Sequence, residues 1–286
     1  MTAFFALATS LLWGLADFGG GLLTRRIPAL TVVVVSQAVA AAVLGALVVA
    51  TGGWSEAGPR LWFALAAGLI GPIALLSFYK ALALGPMGVV SPLATLSVAV
   101  PIGVGLVLGE RPGLMQAAGI AVAVVGVALA GGPQLRGAPV QRQAILLTLV
   151  AALGFGTVFA LFAEASTTVT GLFLALFVQR VTNVVAGGAA LCVSMRRGAP
   201  ALPPGEGFPW RSLPALGFVG LADVAANGTY AIAAQHGPIT VAAVLASLYP
   251  VVTALAARGF LSERLRAVQA AGAGLALVGT VLLATG

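Results

Sequence analysis

Charge is the scarcest commodity in this 286-residue chain: 14 basic and 7 acidic side chains make up only 7% of it. A soluble domain carries roughly 25% charged residues, and a globule of this length cannot cover its surface with 21 charges. A soluble enzyme is excluded on that ground. A single cysteine, Cys192, rules out an internal disulfide. One histidine, His236, beside that one cysteine leaves no zinc set of the usual kind. The net charge of +7 is no nucleic-acid footprint, because the basic residues stand singly or in pairs such as Arg25–Arg26 and Arg196–Arg197, with no interleaved aromatics. Met1 to Ser10 lacks the basic stretch of a cleavable signal, so the first apolar segment reads as a retained membrane helix.

What the chain has instead is hydrophobic length: 60% hydrophobic residues and a mean hydropathy of +1.10. A helix crossing a hydrocarbon core about 30 Å thick needs about 20 mostly apolar residues. Ten segments meet this rule: Ala3–Leu23, Leu30–Ala50, Leu61–Ala83, Val89–Leu108, Leu114–Ala130, Gln143–Ala163, Gly171–Cys192, Leu213–Ala234, Thr240–Leu261 and Ala267–Ala284. The links between them are short or rich in Gly and Pro, which leaves no room for a second soluble domain.

The chain also repeats itself. Leu108-Gly109-Glu110-Arg111 returns 153 residues later as Leu261-Ser262-Glu263-Arg264, and Gln116-Ala117-Ala118-Gly119 returns at the same offset as Gln269-Ala270-Ala271-Gly272. Gly85-Pro86 corresponds to Gly237-Pro238, with Tyr79 and Tyr230 shortly before each. An ordered Glu-Arg, Gln and Gly series at one offset marks a duplication. Each half holds five helices, and an odd number sends the second half into the membrane from the opposite side. The expected fold is an all-α polytopic membrane protein of ten transmembrane helices, built as two inverted five-helix repeats, an architecture used by secondary transporters.

Leu12-Trp13-Gly14 in the first helix, the two Glu-Arg segments, the Gly-Pro turns and Ser247-Leu248-Tyr249-Pro250 together resemble the drug/metabolite transporter superfamily, and within it the EamA-type ten-helix proteins. The resemblance covers residues 2–131 and 142–284 as two repeats. It implies export or exchange of small metabolites, amino acids or drugs, often driven by a proton gradient, with both termini inside the cell. The loop after the second helix departs from the family, which is basic there: Thr51–Arg60 contains only Arg60.

Ionisable groups inside the spans are the sharpest site candidates, since a charge at the bilayer centre costs about 2.5–3.5 kcal/mol on insertion scales. Arg180 and Asp223 both fall about 14–15 Å deep, near the midplane, at about 1.5 Å of rise per residue. Asp17 comes out about 9 Å from its helix end, within reach of interfacial water or Arg25. Asp223, Asn227 and Tyr230 share one helix face, and Asn183 shares a face with Arg180, beside Gln179. In a transporter Asp223 is the proton-responsive carboxylate, Asp17 a second coupling site, and Arg180 the holder of an anionic substrate group. In a merely structural reading Arg180 and Asp223 form a permanent ion pair. Tyr249, Ser247, Thr95 and Ser97 are candidates to complete the pocket, Gln37 and Lys80 are further cavity candidates, and Trp13 and Phe18 could stack on a flat substrate. Pro101 and Pro250 in the fourth and ninth helices, with Gly71-Pro72 in the third, are candidate breaks lining a cavity. Trp54, Trp62 and Trp210 read as interface anchors, and the Glu-Arg segments as turn chemistry.

The leading expectation is therefore a plasma-membrane secondary transporter of a small solute, coupled to protons, monomeric, with lipid and substrate as partners and no metal, cofactor or nucleic acid. No phosphate-binding loop of the Walker type is present. The alternatives are a membrane enzyme acting on lipid-linked substrates, which a lone His236 disfavours, and a non-transporting assembly subunit.

Orientation follows from the charge count. Loops on the side of the N-terminus hold two arginines, Arg60 and Arg111, whereas the opposite side holds nine, or eleven with Lys80 and Arg258. Cytoplasmic loops carry the Lys/Arg excess, so the count places both termini outside, against the family's habit. A cytoplasm-only reporter fused after Gly286 is expected to stay inactive; activity reverses the assignment.

Overall fold

The computed structural model describes residues 1–98, 100, 113–131, 141–165, 168–202, 210–236, 245–246, 248–262 and 267–285. Among them the chain is helical, with no strand. In lipid every backbone N–H and C=O must be satisfied within the segment, which a helix does unaided.

Among the described residues ten α-helices follow one another: α1 (Thr2–Thr24), α2 (Ala29–Thr51), α3 (Leu61–Leu84), α4 (Met87–Ala94), α5 (Leu114–Gly131), α6 (Arg142–Ala165), α7 (Val169–Arg196), α8 (Leu213–Gln235), α9 (Tyr249–Leu261) and α10 (Ala267–Thr285). Five described stretches are long and apolar enough to cross a membrane by length and composition: Thr2–Thr24, Ala29–Thr51, Leu61–Leu84, Thr170–Arg196 and Trp210–Ala233. Local sequence explains the ends. Gly52 closes α2 in the left-handed conformation (φ 67°) and donates back to Val48 and Val49. The Thr168 hydroxyl caps α7 by accepting from the Gly171 N–H at 3.1 Å.

The prolines behave differently from expectation at two places. Gly71-Pro72 does not break α3, which continues through it from Leu61 to Leu84. Pro72 removes one intrahelical hydrogen bond and no more, which neighbouring helices make tolerable in a membrane. Pro250 lies not in mid-helix but in the first turn of α9, after a turn at Leu248. A missing N–H costs nothing in a first turn, so the chain breaks just ahead of the proline. At the matching place in the first half, α4 gives way at Thr95–Val98 to a tighter 3-10 turn. Pro101 lies outside the described residues.

Packing carries the signature of the duplication. The helices pair as α1 with α8 and α9, and, in mirror assignment, α6 with α3 and α4. Likewise α3 packs on α7 and α8 on α2, while α2–α7, α4–α9 and α5–α10 are each a helix against its own counterpart. Exchanging the two halves leaves these pairings unchanged, as a two-fold relation between repeats requires, while α1–α3 and α4–α10 pack without a counterpart of like extent among the described residues.

Glycines fix the register atom by atom. A Cβ added to Gly14 of α1 would lie 2.7 Å from the Tyr249 carbonyl oxygen and 2.5 Å from Val252 Cβ; one added to Gly156 of α6 would meet the Ser97 carbonyl oxygen and Val100 Cβ. A Cβ on Gly68 would lie 2.8 Å from the Gln179 carbonyl, and one on Gly220 would meet the Ser36 carbonyl. These are the same two contacts made twice. Close backbone approach through small residues is how membrane helices associate, because lipid removes the hydrophobic drive between them.

Gly228, on the same helix as Gly220, has nothing within 4 Å of an added Cβ. Gly220→Ala is therefore expected to destabilise by about 1–3 kcal/mol through overpacking. Gly228→Ala is expected to be neutral or slightly stabilising, as a helix prefers Ala by about 0.8–1.0 kcal/mol. Thermal unfolding of both in detergent checks the contrast, and equal melting temperatures contradict the register.

Candidate functional site

The polar centre is built from α2, α7 and α8. Arg180 of α7 is only 8% exposed. Its Nη1 donates to Gln37 Oε1 of α2 at 2.7 Å, and its Nη2 stands 2.6 Å from Asp223 Oδ2 of α8. Arg180 and Asp223, which the sequence alone could not bring together, are in direct contact. Among the described residues α7 and α8 make no extended backbone contact, so the long arginine side chain spans the distance between them. Arg180 Nε is buried without a partner.

Asn227 sits one turn beyond Asp223 on α8. Its Nδ2 donates to the Asp223 carbonyl at 2.7 Å and lies 3.4 Å from Oδ1. It therefore steadies the helix turn that aims the carboxylate. Asn183 and Gln179, flanking Arg180 on α7, are 1% and 2% exposed. Both amide atoms of Asn183 and the Gln179 oxygen lack partners. They press against α3 at Gly71, where a Cβ would lie 2.7 Å from Asn183 Nδ2 and 3.0 Å from Gln179 Nε2. Buried amides are ordinarily satisfied by protein or by ordered water, so this wall is chemically suited to water or to a polar solute.

Asp17 of α1 stands differently from expectation. Among the described residues it has no ion pair, with Arg25 or any other cation. Its charged neighbour is Asp223, and Tyr79 of α3 lies in the field of Asp17, Asp223 and Arg180 together. The Tyr79 ring fills the place where Gly20 of α1 lacks a side chain. One turn before Asp17, Trp13 packs on Tyr230 of α8 (ring centroids 6.0 Å) and on Tyr249 of α9 (6.1 Å, edge-on). Tyr249 also lies in the field of Asp17. All three rings and Asp17 are half-buried.

The remaining candidates separate. Thr95 is buried and occupied, donating to the Pro92 carbonyl and hydrogen-bonded to Thr280 of α10 at 2.9 Å; it belongs to the α4–α10 contact. Phe18 is a core residue beside Phe260 (5.6 Å) and is not free to stack on a solute. Lys80 is exposed. Trp54, Trp62 and Trp210 are 50%, 72% and 70% exposed, as interface anchors must be. Ser247, Glu110-Arg111 and Glu263-Arg264 lie outside the described residues. Sequence reasoning undervalued Gln37 and took Tyr79 only as a repeat marker. The usable signal was the repeat itself: in the register fixed by Gly68 and Gly220 against Gln179 and Ser36, Gln37 is the counterpart of Arg180.

Breaking a buried pair strands an uncompensated charge, at a cost of about 3–5 kcal/mol. Arg180→Gln is expected to lose stability on that scale, and Arg180→Gln with Asp223→Asn to recover most of it. The melting temperatures of the two singles and the double form the check; additive losses mean that the pair is not coupled.

The EamA-like transporter family matches residues 1–132 and 142–285, one match in each half. A solved structure titled only as a crystal structure of a protein is 22% identical, with 99% of this chain and 97% of that one covered at a TM-score of 0.60. At that identity the likeness concerns the fold alone. No curated protein matches. With both halves matched and ten helices paired as two repeats, the chain belongs to the EamA-like transporter family.

Proposed function

We propose that this multi-pass membrane protein is a secondary active transporter of the plasma membrane, working by alternating access and coupled to protons. The repeats, 2–131 and 142–284, rock against each other about the seam that holds Asp17, Asp223 and Arg180. The observation that carries this reading is a charge imbalance: Asp223 is paired with Arg180, whereas Asp17, whose carboxylate is close enough to be repelled by Asp223, has no ion pair among the described residues. Ion pairing satisfies Asp223. Asp17 then holds a charge in a low-dielectric seam with no cation beside it among the described residues, and such a group takes up a proton or a positive solute.

Each carboxylate has its own role. Asp17 exchanges its proton when a solute enters or leaves. Asp223 senses that exchange through its repulsion of Asp17 and hands the change on to Arg180 and Gln37, which join α7 and α2. Arg180 Nε, buried and unpartnered, is the group left for an acceptor on the solute or for water. Thr9 of α1 and Thr229 of α8, hydrogen-bonded at 2.9 Å, together with Ala6 against Ala233, close one end of the α1–α8 seam. A seam closed at one end and polar at its centre suits alternating access.

In proteoliposomes with an imposed pH gradient and a trapped pH dye, a panel of amines, amino acids and organic acids is expected to contain solutes that saturably speed dissipation of the gradient. Asp17→Asn is expected to remove the solute-dependent proton flux, and Asp223→Asn to reduce it severalfold. Full gradient-driven uptake by both variants contradicts proton coupling while leaving transport standing; no solute-dependent flux at all contradicts transport and favours an assembly subunit.

A further inference from the structure

The link between α2 and α3 carries few charges, and the structure gives both of them a place. After Gly52 the chain makes a tight 3-10 turn, Gly53–Glu56, that packs on α7 of the other repeat. Trp54 seats edge-on against Phe177 of α7 at 5.5 Å, and Thr170 Oγ1 of α7 donates to Glu56 Oε1 at 3.1 Å. A second turn, closed by the Leu61 N–H on the Gly58 carbonyl at 3.1 Å, leads into α3. Between these turns and the second repeat lies a cavity of about 240 Å³. Residues 56 and 58–61 line it from the first repeat, and Ala165 and Gly171 from the second.

Glu56 and Arg60 thus stand on the wall of one cavity with opposite charges, yet they do not pair. Among the described residues the one ion pair is Arg180 with Asp223. Thr170 ties the Glu56 carboxylate to α7 instead. A carboxylate and a guanidinium held apart across a cavity offer the two ends that a zwitterion requires. The carboxylate accepts from an ammonium, and the planar guanidinium donates to a phosphate.

Position identifies the source of that zwitterion. The cavity lies where α2 ends and α3 begins, at the ends of two membrane-crossing stretches. Trp54 and Trp62, both exposed, flank it in sequence, and such tryptophans sit at the level of lipid headgroups. A headgroup held there has its acyl chains beside the first turn of α3, where Trp62 and Phe63 are 72% and 37% exposed. Charge balance narrows the class. Anionic lipids are held by clusters of Lys and Arg, whereas Thr51–Arg60 has one acid, Glu56, and one base, Arg60. A primary ammonium donates N–H bonds to Glu56; a trimethylammonium has none to donate.

We infer that this cavity holds the headgroup of a zwitterionic phospholipid with a primary amine, phosphatidylethanolamine, its ammonium on Glu56 and its phosphate on Arg60. Bound there, the lipid bridges the α2–α3 link of one repeat to the end of α6 and the start of α7 in the other. The site does not rest on the transport reading.

Native mass spectrometry of the purified full-length protein in detergent tests this. The probes are dioleoyl phosphatidylethanolamine, phosphatidylcholine and phosphatidylglycerol, with glycerophosphoethanolamine as the free headgroup. Phosphatidylethanolamine is expected to bind saturably, about fivefold tighter than the other two lipids, and to resist displacement by an equal concentration of the free headgroup. Glu56→Gln is expected to bring phosphatidylethanolamine and phosphatidylcholine level. Arg60→Gln removes the phosphate contact that both lipids share, so it weakens both about severalfold and keeps their ratio. Arg197→Gln, an exposed arginine at the far end of α7, is the unchanged control. Each ratio is read within one variant, so partial misfolding cancels. Equal affinity for the ethanolamine and choline lipids, preference for phosphatidylglycerol, or an unchanged ratio in Glu56→Gln overturns the site. Displacement by the free headgroup overturns lipid as its occupant. The measurement involves no flux, so its failure leaves the transport reading as it stands.

Discussion

A guanidinium buried inside a bundle of membrane-spanning helices has to be met from more than one side, and in this protein that requirement ties the two repeats together. Arg180 cannot shed its charge, so its buried donors need acceptors. Gln37 from the first repeat and Asp223 from the second supply them. The result joins α2, α7 and α8 at a point where α2 and α7 already face each other as counterparts. Any motion of one repeat against the other has to carry this junction along or exchange its partners. The charged centre and the mechanics are therefore one problem.

Around that junction the scaffold is built from absences of side chain. Gly14, Gly68, Gly156 and Gly220 let carbonyls of neighbouring helices approach to distances that a Cβ forbids. Such contacts depend on shape and not on burial of apolar surface, which gains nothing when the surroundings are lipid. They come in two matched sets. A rearrangement that loosens one set can tighten its counterpart, which is the physical content of a two-fold transporter with two comparable end states.

Much of this was legible in the sequence, because hydrophobic length and repeat offset are one-dimensional signals. Eight of the described helices fall within a few residues of their expected ends, whereas the fourth ends early at Ala94 and the ninth begins only at Tyr249; the five-plus-five division follows from the repeat. Other features were hidden because they depend on which helix faces which. Spacing put Asp223, Asn227 and Tyr230 on one face, but not that Trp13 lies against that face. Depth put Arg180 level with Asp223 without bringing them together. Asp17, counted from its own helix end, reads as an interfacial residue within reach of Arg25, whereas among the described residues it has no ion pair and its nearby charge is the carboxylate of Asp223. Pro250 misled for a different reason. A proline identifies a break but not on which side of itself the helix stops, and here the helix begins with it.

The difference between the halves carries the functional argument further than their likeness. Duplication supplied two copies of each seam, and drift alone would leave both apolar, since a polar or charged side chain in lipid is costly unless something uses it. Yet Arg180, Asp223 and Asn183 stand where the first repeat has Gln37, Gly71 and Ala40, and Asp17 stands where the second has Phe159. The charges are thus distributed over both repeats but gathered on one side of the two-fold relation, with Asp17 contributed by the first and Arg180 and Asp223 by the second. A site assembled from both repeats is remade whenever they move relative to each other, and a site belonging to one repeat alone is not. In the proposed reading that placement couples occupancy to conformation, because a proton at Asp17 would change the repulsion that Asp223 feels across the interface between the repeats.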